Sequence, residues 1–188
     1  NIIQIPPGHY LSIYKNKKRL KQFWKPEKTN EIILKNDEEY EAALRDVLNK
    51  AIEKRVKNHE RIGLFLSGGF DSGAVASLSC KNFIPKDQKL STFTFIPIRD
   101  YQNWLTKKQN ANEEPFVREY QKYYDNIEMF FLPFEEKNSY LDINSYIKIF
   151  EQPYKSPGNV VWFFEIVKKA CEKNLSLLLT GEAGNGTI

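Results

Sequence analysis

A chain of 188 residues is long enough for one α/β core with a small appendage. Hydrophobic residues at 41% and aromatics at 14% exclude a disordered polymer. The 28 basic and 24 acidic residues leave a net charge of +4, and no stretch interleaves Lys or Arg with aromatics as a nucleic-acid surface does. No apolar run approaches the roughly 18 residues of a membrane span, and the first residues carry no signal-peptide pattern. The expectation is a cytoplasmic protein with neither a nucleic-acid nor a membrane partner. Cys80 and Cys171 lie far apart without metal-ligand spacing. They read as buried or half-buried thiols in a reducing compartment, with a redox pair as the alternative.

Residues 1–24 alternate apolar and polar positions around Pro6-Pro7-Gly8-His9, with Tyr10, Leu11, Ile13 and Tyr14 before a basic cluster and Leu20, Phe23 and Trp24 after it. This predicts two or three short strands broken by a turn, with Lys15 to Lys21 as a solvated hairpin tip and His9 as a turn residue. Residues 26–30 are polar and unpatterned and read as a linker.

A helix is expected over 36–56. Asn36 can cap it with Glu39 as capping-box partner, and Tyr40, Ala43, Leu44, Val47, Leu48, Ala51, Ile52 and Val56 share one face, expected to be core. The apolar run 62–66 reads as a buried strand, and 73–78 as a helix. Between them lies Ser67-Gly68-Gly69-Phe70-Asp71-Ser72. A strand that breaks into a glycine-containing loop and then opens a helix suits an anion: the glycines let the backbone approach closely, and N–H groups and the helix dipole favour its charge. Ser67 and Ser72 add hydroxyl donors. Asp71 would repel phosphate directly, so its expected task is to hold Mg²⁺ against phosphates. No Lys follows the glycines, which excludes the G-x-x-x-x-G-K-[ST] loop. The other reading is a glycine-containing turn of some other α/β fold.

Further strands are expected over 90–96, 127–132 and 175–179, and helices over 113–124, 139–150 and 160–171, with Val161, Phe164, Val167 and Cys171 or Ala170 inward. Residues 99–112 and 151–159 read as loops. Strands alternating with helices predict an α/β fold with a doubly wound, mainly parallel sheet and flanking helices, preceded by a short β-hairpin. The loops after Leu66, Ile96 and Leu179 then share the carboxyl edge, where such sheets bind ligands.

Ser67 to Ser72 resembles the pyrophosphate loop of the N-type ATP pyrophosphatases, which cleave ATP between its α- and β-phosphates and adenylate a substrate. Ile5-Pro6-Pro7-Gly8-His9-Tyr10-Leu11, with Phe23-Trp24, resembles the end of the glutaminase domain of asparagine-synthetase-like proteins. Thr180-Gly181-Glu182-Ala183-Gly184-Asn185-Gly186 resembles the second signature of asparagine synthetases, Ser-Gly-Glu-Gly-(Ala/Ser)-Asp-Glu. The three landmarks in this order mark the chain as similar to the synthetase domain of asparagine-synthetase-like proteins, truncated on its C-terminal side. The resemblance implies a glutaminase-like tail over 1–30 and an ATP-pyrophosphatase domain over 31–188.

It also implies the site. ATP and Mg²⁺ are the implied cofactors, with Leu66, Ser67, Gly68, Gly69, Asp71, Ser72, Phe95, Thr180 and Gly181 binding the nucleotide. Phe95 matches a position whose backbone recognises adenine, and Asn112-Glu113 resembles the family's Asp-Glu before the next helix. Glu182 matches the residue that manages protons during amine attack, and Asp71 and Asn185 stand at the metal positions. The family has Asp where this chain has Asn185, and Glu where it has Gly186. The implied partners are a small-molecule or peptide carboxylate, ammonia or an amine, and a glutaminase domain in a longer parent chain. The implied function is ATP-dependent amide formation through an acyl-adenylate with release of pyrophosphate. The alternatives are a related cyclase of the lasso-peptide or β-lactam synthetase kind, or a non-catalytic nucleotide-binding remnant.

Overall fold

The computed structural model describes residues 3–25, 31–102, 110–135, 137–152, 156–182 and 184. The expected linker at 26–30, part of each loop at 99–112 and 151–159, and Asn185 with Gly186 lie outside the described residues. The chain divides into two compact units, Asn1–Glu41 and Ala42–Ile188.

In the first unit, β1 (His9–Tyr14) and β2 (Lys17–Gln22) form an antiparallel hairpin in which Tyr14 pairs with Lys17. Lys15 and Asn16 make the whole turn, both at positive φ (44° and 61°), the geometry that matches strand twist in a two-residue hairpin. The expected basic tip is therefore mostly strand: Lys17, Lys18, Arg19 and Lys21 lie along β2. A tight turn needs only two residues, and lysine stems tolerate an exposed strand. Gly8, at φ 69°, closes the other end. Its carbonyl accepts the N–H groups of Phe23 and Trp24, at 2.8 and 3.2 Å, while His9 Nδ1 lies 2.9 Å from the Pro7 carbonyl, a turn contact.

Helix α1 (Asp37–Val56) starts where the capping signal lies: Asn36 Oδ1 accepts the Glu39 N–H at 2.9 Å. The return bond from Glu39 goes to the Lys35 N–H at 3.0 Å. The expected core face is overturned in part. Ile52 and Val56 are buried, whereas Tyr40, Ala43, Leu44 and Val47 are exposed, Val47 to 62%. Periodicity defines a face, and the packing against the sheet is made by Ile52 and Val56 in its last turns.

In the second unit, β3 (Ile62–Phe65), β4 (Leu90–Phe95), β5 (Ile127–Leu132) and β6 (Leu177–Leu179) form one parallel sheet in the order β5-β4-β3-β6. Its two faces are both covered. Ile62, Leu64 and Leu179 pack with Ile52 and Val56 of α1 and with Ala76 and Cys80 of α2 (Phe70–Asn82). Phe65, Phe93, Phe130 and Leu178 pack on the opposite face against Ile166 and Ala170 of α5 (Pro157–Glu172). This is the expected doubly wound α/β arrangement. Near-continuous apolar strands are what burial on both faces demands.

The crossovers depart in detail. The expected helix 113–124 is α3 (Glu114–Arg118) followed by a 3-10 turn, Glu119–Lys122. It buries Val117 but leaves Phe116 and Tyr123 exposed. Helix α4 covers Ile143–Phe150, and α5 starts earlier than expected because Pro157 fits a first helical position. Ile166, not Val167, is fully buried on α5, and Cys171 is exposed. Cys80 is buried, and burial pushes its thiol up to about 12.

Candidate active site

The order β5-β4-β3-β6 has its switch point between β3 and β6. From β3 the chain winds outward through β4 and β5, then returns to place β6 on the other side. Ligands of doubly wound sheets bind at the carboxyl ends of the strands beside such a point. Leu66 to Ser72 leave β3 there, and Thr180 to Gly184 leave β6.

The loop after β3 is held by its own serines. Ser72, buried at the start of α2, accepts the Ser67 N–H at 3.1 Å, and its Oγ lies 2.9 Å from the Ser67 Oγ. That Oγ is also 3.3 Å from the carbonyls of Ser67 and Gly69. Ser67 Oγ in turn accepts the Gly69 N–H at 3.2 Å. Gly69 takes the N-cap position of α2, and no side chain among the described residues caps the first-turn N–H groups.

The loop after β6 packs directly onto this turn. A Cβ on Gly181 would stand 2.7 Å from the Asp71 carbonyl carbon and the Ser72 Cα. A Cβ on Gly184 would stand 2.7 Å from both carboxylate oxygens of Asp71. Close approach to backbone requires glycine at 181; at 184 the neighbour is the Asp71 side chain, which would have to move to admit a Cβ. The two motifs, over a hundred residues apart in sequence, form one structure around Asp71 and Ser72.

A cavity of about 560 Å³ opens beside them. Of the residues expected at the site, Leu66, Ser67, Gly69, Asp71, Ser72, Phe95, Thr180, Gly181 and Glu182 line it. Gly68 does not. It faces Phe116 and Glu113, whose Cβ atoms would lie 3.3 and 3.5 Å from a Cβ at that position. Asn185 lies outside the described residues.

The lining also holds residues that sequence reasoning did not assign to the site. Phe65, Phe93, Trp162, Phe163 and Ile166 make an apolar wall, with Phe65 and Phe163 stacked at 5.5 Å and Trp162 edge-on to Phe65 at 5.8 Å. Asn110, Ala111 and Glu113 come from the segment before α3. Three carboxylates, Asp71, Glu113 and Glu182, face the cavity, and no Lys, Arg or His is among the described residues lining it. The cavity thus has a hydroxyl- and N–H-rich end beside a helix start, a planar aromatic end and, among the described residues, carboxylates with no cation beside them. A polyphosphate on the first end needs a divalent cation to meet Asp71. Carboxylate and phosphate oxygens are the hard donors Mg²⁺ takes, so the residues present fit that ion.

Fold and site together define a doubly wound α/β domain whose loop after β3 carries glycines, serines and an aspartate but no lysine. The sequence profile of the family described as Asparagine synthase matches residues 43–187. The chain belongs to the asparagine synthase family. It is 26% identical over 202 aligned positions to "Asparagine synthetase [glutamine-hydrolyzing] 2" of Bacillus subtilis (strain 168), covering 98% of this chain and 24% of that protein. It is 35% identical over 77 positions to "Asparagine synthetase, nodule [glutamine-hydrolyzing]" of Pisum sativum, covering 40% of this chain and 13% of that protein. The chain thus spans no more than about a quarter of the length of either relative.

Proposed function

We propose that the domain is the ATP-using half of an amide-forming ligase, activating a carboxylate as its acyl-adenylate. The observation that carries this reading is the packing of Gly181 and Gly184 on the Asp71–Ser72 turn, which makes one anion site from the two family motifs. The loop from Ser67 to Ser72 holds the β- and γ-phosphates with backbone N–H groups and the serine hydroxyls. The aromatic wall with Leu66 and Phe95 takes the adenine, whose planar face suits stacking. Asp71, with the Asn185 carbonyl as a second, uncharged donor, would hold Mg²⁺, which would supply positive charge against the phosphates.

The substrate carboxylate attacks the α-phosphorus, and pyrophosphate leaves onto the loop. The protein contributes position and charge complementarity rather than a covalent group of its own. Thr180 and Gly181 border the reacting end. Ammonia or an amine then attacks the acyl carbon, AMP departs, and Glu182 takes the proton released by the amine. The relatives' names include glutamine hydrolysis, and we assign the ammonia to a glutaminase domain of a longer parent chain acting in the cytoplasm.

Isotope exchange between labelled pyrophosphate and ATP, run with Mg²⁺ and a panel of carboxylates beginning with aspartate, tests the chemistry. Carboxylate-dependent label in ATP is expected. Production of ADP and phosphate would replace the adenylate with an acyl-phosphate route, and failure to bind Mg²⁺·ATP in calorimetry would remove the reading altogether.

A further inference from the structure

The ladder between β3 and β4 stops in an unusual way at the cavity. It runs in register from Gly63 with Ser91 to Phe65 with Phe93, and continues one bond further, the Leu66 N–H donating to the Phe93 carbonyl at 3.0 Å. In an evenly spaced parallel ladder the Leu66 carbonyl would next accept the N–H of Phe95. Instead it accepts the hydroxyl of Thr94 at 2.8 Å, from a side chain only 2% exposed. On the far side, the Ile96 N–H donates to the Leu132 carbonyl at 3.2 Å. Alternation along a strand therefore turns the Phe95 N–H toward β3, and among the described residues no hydrogen bond takes it there. Leu66 and Phe95 both line the cavity.

We propose that Thr94 is a positioning residue for base recognition: by occupying the Leu66 carbonyl, it ends the ladder one rung early and leaves the Phe95 N–H as a donor at the cavity. The proposal rests on the ATP reading above. An N–H left out of the ladder at the cavity is open to another acceptor, and an unprotonated ring nitrogen such as N1 of adenine supplies one. Inosine carries a hydrogen on N1 and would meet the Phe95 donor with a second donor. Thr94 thus acts on specificity without touching the base.

Thr94→Val keeps the side-chain shape and removes the hydroxyl; Thr94→Ser keeps the hydroxyl. Amide hydrogen exchange in the nucleotide-free protein reads the ladder directly. The Phe95 amide should exchange readily in wild type and Thr94→Ser, and be protected roughly tenfold or more in Thr94→Val, where the Leu66 carbonyl is free to take it. Strong protection of Phe95 already in wild type would overturn the proposal. Calorimetry with Mg²⁺·ATP and Mg²⁺·ITP reads the consequence. Wild type and Thr94→Ser should prefer ATP by about tenfold, the worth of one well-made hydrogen bond, and Thr94→Val should lose most of that preference. An equal loss for both nucleotides would make Thr94 merely structural and sink the proposal. Binding of neither nucleotide by wild type would instead bring down the ATP reading and the base contact with it, while the exchange result still decides the ladder.

Discussion

Gly181 lies against the backbone of Ser72 so closely that a Cβ at position 181 would come within 2.7 Å of the Ser72 Cα. Backbone on the far side cannot rotate away as a flexible side chain would. Gly181→Ala should therefore displace the start of α2 and cost about 1–3 kcal/mol, the range for overpacking, seen as a melting temperature lowered by several degrees. Gly158→Ala is the control: nothing stands within 4 Å of its Cβ, so stability should be unchanged or slightly raised. Equal melting temperatures for Gly181→Ala and wild type would show that the two loops are not in contact.

Asp71 is the carboxylate in the turn after β3, and Gly184 is pressed onto it. Asp71→Asn keeps size and hydrogen bonding while removing the charge. The expected result is ATP affinity that no longer rises when Mg²⁺ is added, measured by calorimetry with and without the ion. The same Mg²⁺ dependence in mutant and wild type would exclude Asp71 as a ligand.

Much of this was legible from local signals. The Asn36 cap, the strand at Ile62–Phe65 and the turn at Ser67–Ser72 rest on short-range rules: capping chemistry, a bounded apolar run, and glycines where the backbone must approach something. What was hidden depends on what faces what. The α1 periodicity marks Leu44 and Val47 as apolar but says nothing of whether another element covers them. Trp162 and Phe163 read as helix residues because their neighbours across the cavity lie on β3. Thr94 looks like any β-branched strand residue, since its acceptor, the Leu66 carbonyl, belongs to another strand. Glu113 carried a signal, the resemblance of Asn112-Glu113 to the family's Asp-Glu before this helix, without any indication that it faced the same cavity as Asp71.

Asn126 stands just before β5, 6% exposed, and its side-chain amide donates to the carbonyls of Cys80 and Ile84 at 2.8 and 2.9 Å. It ties the end of α2 to the start of β5. Asn126→Ala leaves two buried carbonyls short of a donor and should cost about 2–3 kcal/mol in urea unfolding. A change below about 0.5 kcal/mol, the scatter of ordinary surface substitutions, would mean that water replaces the amide.

Cys80 supplies a pH dependence. Its thiol is raised from 9.0 to about 12 by burial, so the folded protein keeps a proton that the unfolded chain releases. The stability this contributes is complete below pH 9.0 and is lost as pH rises from there toward 12. Cys80→Ala should flatten the alkaline limb of a stability–pH curve. In the native protein at pH 8, a thiol reagent should label exposed Cys171 and spare Cys80. Rapid labelling of both would contradict the burial of Cys80.

Asn185 tests how the metal is held. At the position where the family carries Asp, an amide oxygen can ligate Mg²⁺ but adds no charge. On the proposed reading Asp71 is the charged ligand of the ion, and the phosphates supply further attraction. Asn185→Asp adds a full charge at the metal, and Gly186 beside it carries no side chain to obstruct the change. The expected outcome is tighter Mg²⁺ binding at fixed ATP, read as a titration midpoint moved to lower Mg²⁺ by roughly tenfold for about 1.4 kcal/mol. Weaker binding would mean that the new carboxylate meets phosphate or acyl oxygens instead of the ion, because like charges at close range repel. In that case the amide at 185 serves the substrate rather than the metal, and the proposed metal role stays with Asp71.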